Sequence, residues 1–257
     1  MATATNWGNY HGYHGSARHF PGSSPSASVR DPRLTLLESL IPGLFKAKSC
    51  LDVGCNTGAV SCQLAFDFDA ASVTGVDIDP KLVSEAEDLV ALRSSCIRPR
   101  TDEADQIVDY FPTSAVLKYG YRFPPSPALS KWPRVRFISS DWVVLANPAT
   151  AGPYDVILAL SVIKWLHLEH LDEGLVRFFR KCSSSLVSGG YLVLEMHPWE
   201  SYVTAVEVKK APHFKEHLEK LKYRPETSFN GLLQEQGLKL CATSDDLPRR
   251  ISVYRRD

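Results

Sequence analysis

Leu51-Asp52-Val53-Gly54-Cys55-Asn56-Thr57-Gly58 runs from a short apolar strand into a turn bounded by two glycines. The strand is predicted over 49–53 and a helix over 59–68, so the unit reads strand, tight turn, helix. Glycine suits such a turn because, with no Cβ, it lets a ligand come close to the backbone. Outward from it, 72–76 is a second β-rich run closed by Asp77, and 80–92 is a helix with Pro80 in its first turn. Further strands are predicted at 135–139, 154–160 and 191–195, the last after a Gly189-Gly190 turn, with a helix over 171–187. A helix at 225–236 and two closing strands at 238–243 and 251–255 complete the series. Upstream, Asp31-Pro32 marks a helix start, followed by Leu34, Leu37, Leu40 and Ile41 at helical spacing. Strands alternating with helices predict an α/β fold with a mostly parallel sheet covered on both faces.

The chain of 257 residues is 44% hydrophobic, enough to bury a sizeable core in a single domain. We expect that domain over 31–257, preceded by a Gly-, Ser-, His- and Tyr-rich lid segment at 1–30. It is interrupted by an insertion at about 96–134, where Pro99, Pro112, Pro124, Pro125, Pro127 and Pro133 break the pattern. Lysine plus arginine and aspartate plus glutamate number 29 each, which argues against a binder that relies on global positive charge and leaves local basic patches open. The cysteines, Cys50, Cys55, Cys62, Cys96, Cys182 and Cys241, form no C-x-x-C pair and read as reduced thiols of an intracellular protein. No apolar stretch resembles a signal peptide or is long enough to span a bilayer.

The glycine spacing is G-x-x-x-G, not the G-x-G-x-x-G of dinucleotide sites. A pyrophosphate calls for a helix N-terminus, whereas S-adenosylmethionine has no phosphate and needs a glycine ledge for its methionine and ribose. Asp77 is placed to accept hydrogen bonds from ribose hydroxyls, and Asp141, with Trp142 beside it, would lie near the adenine. Each acid has a plainer reading as a turn residue or helix cap. Together and in this order they point to S-adenosylmethionine, with a nicotinamide cofactor as the rival. His167 and His170, or His213 and His217, could be read as metal ligands, but no cysteine or acid accompanies them at ligand spacing and no metal is expected. Lys209, Lys210, Lys215, Lys220, Lys222 and Arg224 form a basic stretch that is either a solvated face or a track for a nucleic-acid backbone. Arg249, Arg250, Arg255 and Arg256 could extend it, with Arg98 and Arg100 as weaker candidates.

Further stretches carry a family resemblance. They are Gly8-Asn9-Tyr10-His11-Gly12-Tyr13-His14, Asp31-Pro32-Arg33-Leu34, the Leu51–Asn56 run, Val76-Asp77-Ile78-Asp79, Leu160-Ser161-Val162-Ile163-Lys164-Trp165-Leu166-His167-Leu168 and Glu195-Met196-His197-Pro198-Trp199-Glu200-Ser201-Tyr202. In this order they resemble the bicoid-interacting-type methylphosphate capping enzymes, RNA 5′-phosphate methyltransferases of the Rossmann-like class I S-adenosylmethionine-dependent fold. Two positions depart from that pattern: His14 stands where relatives often carry Tyr, and His197 where they typically carry Gln. The resemblance implies a mostly parallel sheet with an antiparallel C-terminal strand. It implies a cofactor site of Tyr13, His14, Arg33, Gly54, Cys55, Asn56, Asp77, Ile78, Asp141, Trp142 and Leu160. Tyr13, Ser161 and Lys164 would face the RNA phosphate as catalytic residues, and Lys164, Trp165, His197, Trp199, Lys209 and Lys210 would contact RNA. For Lys164 the plainer reading is a surface lysine, and for Trp165 and Trp199 core anchors.

The implied reaction methylates the terminal 5′ phosphate of a small non-coding RNA. A terminal phosphate is already anionic near neutral pH, because its second ionisation lies near about 6, so no general base is needed. What the reaction needs is alignment and a cation that steadies the oxygen. Nuclear residence follows from the resemblance, with the cytoplasm also open, as do ribonucleoprotein partners. Two rivals are a non-catalytic RNA-binding subunit that stabilises or folds RNA in a ribonucleoprotein, and a methyltransferase acting on a protein or small molecule.

Overall fold

The computed structural model describes Trp7 and residues 30–95, 134–207 and 211–257. Tyr13, His14, Lys209, Lys210, Arg98 and Arg100 therefore lie outside the described residues, as do most of the expected lid at 1–30 and of the expected insertion at 96–134. Seven strands form one sheet: β1 (Ser49–Val53), β2 (Ser72–Asp77), β3 (Arg134–Ser139), β4 (Tyr154–Ala159), β5 (Leu186–Glu195), β6 (Leu238–Ser244) and β7 (Ile251–Arg256). Their order is β3-β2-β1-β4-β5-β7-β6. The first five pair in parallel, and β7 runs antiparallel to both β5 and β6.

Burial on both faces explains the near-continuous apolar runs. In β4, Val156 and Leu158 point into one core with Leu34, Leu37 and Leu64, while Ile157 and Ala159 point into the other with Leu175, Phe178, Phe179 and Phe229. The first core is closed by α1 (Pro32–Leu40) and α2 (Ala59–Phe66), and the second by α4 (Ile163–Ser185) and α7 (Phe229–Glu235); α3 (Pro80–Ser95) flanks β2 and β3. Asp31 caps α1 as expected, accepting from the Arg33 backbone N–H at 3.0 Å.

Three differences from the sequence reading concern the region that builds the site. The helix predicted at 171–187 begins instead at Ile163 and breaks at Leu171, whose φ of 58° is non-helical, so the predicted start coincides with the kink. Gly189-Gly190 is not a turn but part of β5, where the pairing shifts from Tyr154–Leu186 to Val156–Tyr191. A short helix, α5 (Trp199–Ala205), stands where none was predicted, and α6 (Lys215–Lys220) falls in the basic stretch whose default reading is a solvated helix face; Tyr202, Ala205 and Phe214 pack with Leu168 in a third, smaller cluster.

The order of the first five strands reverses between β1 and β4. That switch point opens a crevice outside the carboxyl ends of the strands, where open α/β sheets bind ligands.

Candidate active site

A cavity of about 290 Å³ occupies this crevice. Its floor is the exit of β1 and the exit of β4, which nearly touch. Gly54 has φ +73°, and a Cβ there would lie 2.5 Å from the Val162 side chain. The glycine is thus required by both its backbone angle and the meeting of the two loops. Asn56, with φ 51°, continues the turn; its backbone N–H donates to Asp77 Oδ2 at 2.8 Å.

Side chains are sorted by charge along the carboxyl edge. On the β2–β3 flank stand Asp77 and Asp141 with apolar walls from Val53, Val76, Ile78, Trp142, Val143 and Leu160. Asp77 is buried, and its Oδ1 accepts from the Asp79 backbone N–H at 3.0 Å; desolvation raises its pKa above the ordinary value. Asp141 lines the cavity, but its carboxylate is already engaged. Oδ1 accepts from the backbone N–H groups of Val143 and Val144, and Oδ2 pairs with His170 Nε2 at 3.1 Å. It is a cap as well as a wall residue. The flank offers one buried carboxylate, a glycine ledge and apolar surface, with the cations elsewhere along the edge. That donor set fits an adenosine carrying a sulfonium better than a pyrophosphate.

On the β4–β5–β7 flank stand Lys164, His197, Ser201 and Arg249. Lys164 is no surface lysine: it is 8% exposed in the first turn of α4, donates from Nζ to Ser201 Oγ at 2.9 Å, and lies 4.6 Å from the centre of the Trp165 ring. Ser161, at φ 64°, donates its hydroxyl proton to Glu195 and accepts from Arg33 at 3.3 Å and Arg249 at 2.8 Å. It ties the β4 exit to the Glu195 carboxylate. His197 is buried, and its pKa is pushed down to about 2, first by desolvation and then by the positive charges of Lys164, Arg249 and Arg33. Its imidazole is neutral across the working pH range.

The structure brings together Gly54, Asn56, Asp77, Ile78, Asp141, Trp142, Leu160, Ser161, Lys164, Trp165 and His197. Three expected residues lie behind the wall instead. Arg33 is buried between Asp31 Oδ2 and Glu195 Oε2, each at 2.6 Å, because a guanidinium away from water needs charged partners. The Cys55 thiol is buried, and desolvation raises its pKa. Trp199 stacks on Tyr202 at 5.1 Å and carries the Arg224 guanidinium 3.6 Å from its ring centre, which makes it a core anchor and removes Arg224 from any basic track. Lys215, Lys220 and Lys222 are exposed, Arg250 pairs with Asp245 at 2.8 Å, and the Arg255 side chain reaches Gly189 O. Among the described residues no cluster suits a metal: His167 bonds Asp172 at 2.9 Å and His217 bonds Leu168 O at 2.7 Å. The sequence reading missed Trp7, Ser201 and His170 as wall residues, and Arg249 was grouped only with the C-terminal basic residues.

A profile of the Bicoid-interacting protein 3 (Bin3) family matches residues 154–257, and a methyltransferase-domain profile matches 51–135. The 7SK snRNA methylphosphate capping enzyme of Mus musculus is 30% identical over 220 residues, covering 76% of this chain and 31% of that protein. A probable RNA methyltransferase of Arabidopsis thaliana is 31% identical over 205 residues, covering 77% of this chain and 61% of that protein. The chain thus spans less than two thirds of either relative. The N-methyltransferase NodS of Bradyrhizobium japonicum superposes with a TM-score of 0.54 at 15% identity over 88% of this chain and 94% of that one, which identifies the fold as that of class I methyltransferases.

Removing Arg33 takes the ion pair from buried Asp31 and leaves buried Glu195 with only the Ser161 hydroxyl and the longer contact to Arg249. Arg33→Ala should therefore destabilise the protein by about 3–5 kcal/mol in urea unfolding, and a loss below about 1 kcal/mol would show that Asp31 and Glu195 do not depend on it. His197 gives a pH signature. Below about pH 6.5 the unfolded chain protonates this imidazole and the folded chain does not, so its contribution to stability falls as pH falls, with a limiting slope of about 1.4 kcal/mol per pH unit. His197→Gln should remove that slope between pH 7 and 5, and identical pH profiles for both proteins would show that the folded histidine titrates normally.

Proposed function

The chain is a methyltransferase-fold protein of the Bin3 family, and on that premise we propose that it methylates a terminal 5′ phosphate of a small non-coding RNA, with S-adenosylmethionine as donor. The observation that carries the reading is the charge-sorted cavity: a carboxylate and a glycine ledge on one flank, and buried Lys164 beside neutral His197 on the other. Strands in a sheet lie about 4.8 Å apart, so the β2 and β5 exits stand roughly 14 Å from each other, room for a nucleoside and an acceptor side by side.

S-adenosylmethionine supplies an electrophilic methyl group on sulfur. The chain's own residues do the rest. Asp77 accepts from ribose hydroxyls, Gly54 admits the methionine portion against the backbone, and Ile78 with Trp142 covers the base. Lys164, fixed by Ser201, holds the phosphate in line. The phosphate oxygen is already anionic, so the residues hold no proton for it, and a neutral His197 sandwiched by cations is unsuited to act as a base. The RNA substrate is supported by the relatives, a 7SK snRNA methylphosphate capping enzyme and a probable RNA methyltransferase, and nuclear residence and ribonucleoprotein partners extend the same proposal. So does the organisation of residues 1–30 as a lid, on which Trp7 in the cavity wall bears directly.

Labelled methyl transfer from S-adenosylmethionine to RNA with a 5′ phosphate, compared with the same RNA after dephosphorylation, tests the reading. Phosphate-dependent labelling is expected. Labelling of both would point to another acceptor, and RNA binding without labelling to the non-catalytic RNA-binding role. Lys164→Ala should cut transfer severely while changing cofactor affinity little. Asp77→Ala should weaken cofactor binding by about 1.5–3 kcal/mol, the worth of hydrogen bonds to a charged acceptor, as read by calorimetry. Equal loss of cofactor binding in both variants would refute this division of labour.

A further inference from the structure

One cation in the cavity wall has no role in the scheme above. Arg249 stands just before β7 and shares the Glu195 carboxylate with Arg33, but unequally. Arg33 Nη1 lies 2.6 Å from Oε2 and its side chain is 3% exposed; Arg249 Nη1 lies 3.5 Å from Oε1 and its side chain is 31% exposed. The first is a fixed structural pair, and the second is a contact a guanidinium can leave. Only Nη1 of Arg249 is engaged, with Ser161 and Glu195, so Nη2 and Nε have no hydrogen-bond partner among the described residues.

Beside it, His197 is 4% exposed and lines the same flank; its Nδ1 is sealed from solvent and so turned away from the cavity, which leaves Nε2 as the ring nitrogen available to a ligand there. The charged carboxylate, lysine and arginine residues lining the cavity are Asp77, Asp141, Glu169, Lys164 and Arg249, and both cations act on the same His197 of this flank. An anion is the ligand that two neighbouring cations select, and a planar guanidinium with two donor nitrogens unengaged among the described residues matches the paired oxygens of a phosphate.

We propose that Arg249 is a second phosphate-binding residue of this cavity, closing with Lys164 and the His197 imidazole a three-point cradle around the acceptor phosphate. Lys164 is a point charge that steadies one oxygen, and Arg249 adds direction by fixing two. His197 contributes a hydrogen bond without charge, so the cradle grips the phosphate without adding a third cation that would lower its nucleophilicity. The assignment rests on the RNA 5′-phosphate reading for the identity of the substrate, but not for the presence of an anion site.

The test uses the full chain saturated with S-adenosylhomocysteine and two probes: an RNA oligonucleotide with either a 5′ phosphate or a 5′ hydroxyl, and inorganic pyrophosphate as competitor, read by fluorescence anisotropy. Wild type should prefer the 5′-phosphate oligonucleotide. Arg249→Ala should reduce that preference at least about tenfold, Arg249→Lys should keep part of it, and S-adenosylhomocysteine affinity should stay within about twofold, which also certifies folding. His197→Ala should weaken the preference and His197→Gln, which retains a donor, should restore it. An undiminished preference in Arg249→Ala, or pyrophosphate competition indifferent to residue 249, overturns the proposal. If pyrophosphate binds in an Arg249-dependent way but wild type does not distinguish the two RNA ends, the cradle stands and the RNA reading fails.

Discussion

The Glu195 carboxylate, buried at the end of β5, is the point on which the site depends. It receives Arg33 from the first helix, the Ser161 hydroxyl from the β4 exit and Arg249 from the approach to β7. Four segments far apart in sequence are thus tied at one pair of oxygen atoms. A buried charge is costly unless paired and hydrogen-bonded, and here the pairing is made by the same loops that must be held in place to form a cavity. Rigidity of the phosphate flank follows from satisfying this one carboxylate.

The opposite flank is built on a steric constraint instead. Gly54 meets Val162 so closely that no side chain fits between the β1 and β4 exits, and the left-handed backbone of Gly54 and Asn56 turns the chain under the crevice. Asp77 then anchors the turn through the Asn56 N–H. One flank is therefore a backbone ledge with one buried acid, Asp77, and a second, Asp141, tied up as a cap, and the other is a network of charges. The Rossmann-like sheet supplies both because its strand order reverses between them.

Much of this was legible in the sequence. The alternation of apolar strands and helices, the G-x-x-x-G turn and Asp77 at a strand end are local patterns, and local patterns survive in one dimension. What was illegible depends on contacts between distant segments. Arg33 looked like a wall residue because nothing in Asp31-Pro32-Arg33 reveals Glu195 waiting beneath it. Arg249 looked like one basic residue in a C-terminal cluster, and only the placement of β7 beside β5 carries it to the cavity. The α4 start was misplaced because Leu171 breaks the helical geometry inside a continuous hydrophobic pattern. Trp199 could be read as an RNA contact or as a core anchor, and the choice rests on Tyr202 and Arg224, which lie against its ring.

The central claim is that one cavity holds a nucleoside on the Asp77 flank and an anion on the Lys164 flank. A crystal structure of the chain soaked with S-adenosylhomocysteine and pyrophosphate addresses it directly. The account predicts ribose density at Asp77 and phosphate density between Lys164, His197 and Arg249. Adenosine at the Lys164 flank, or phosphate bound away from that trio, would contradict it.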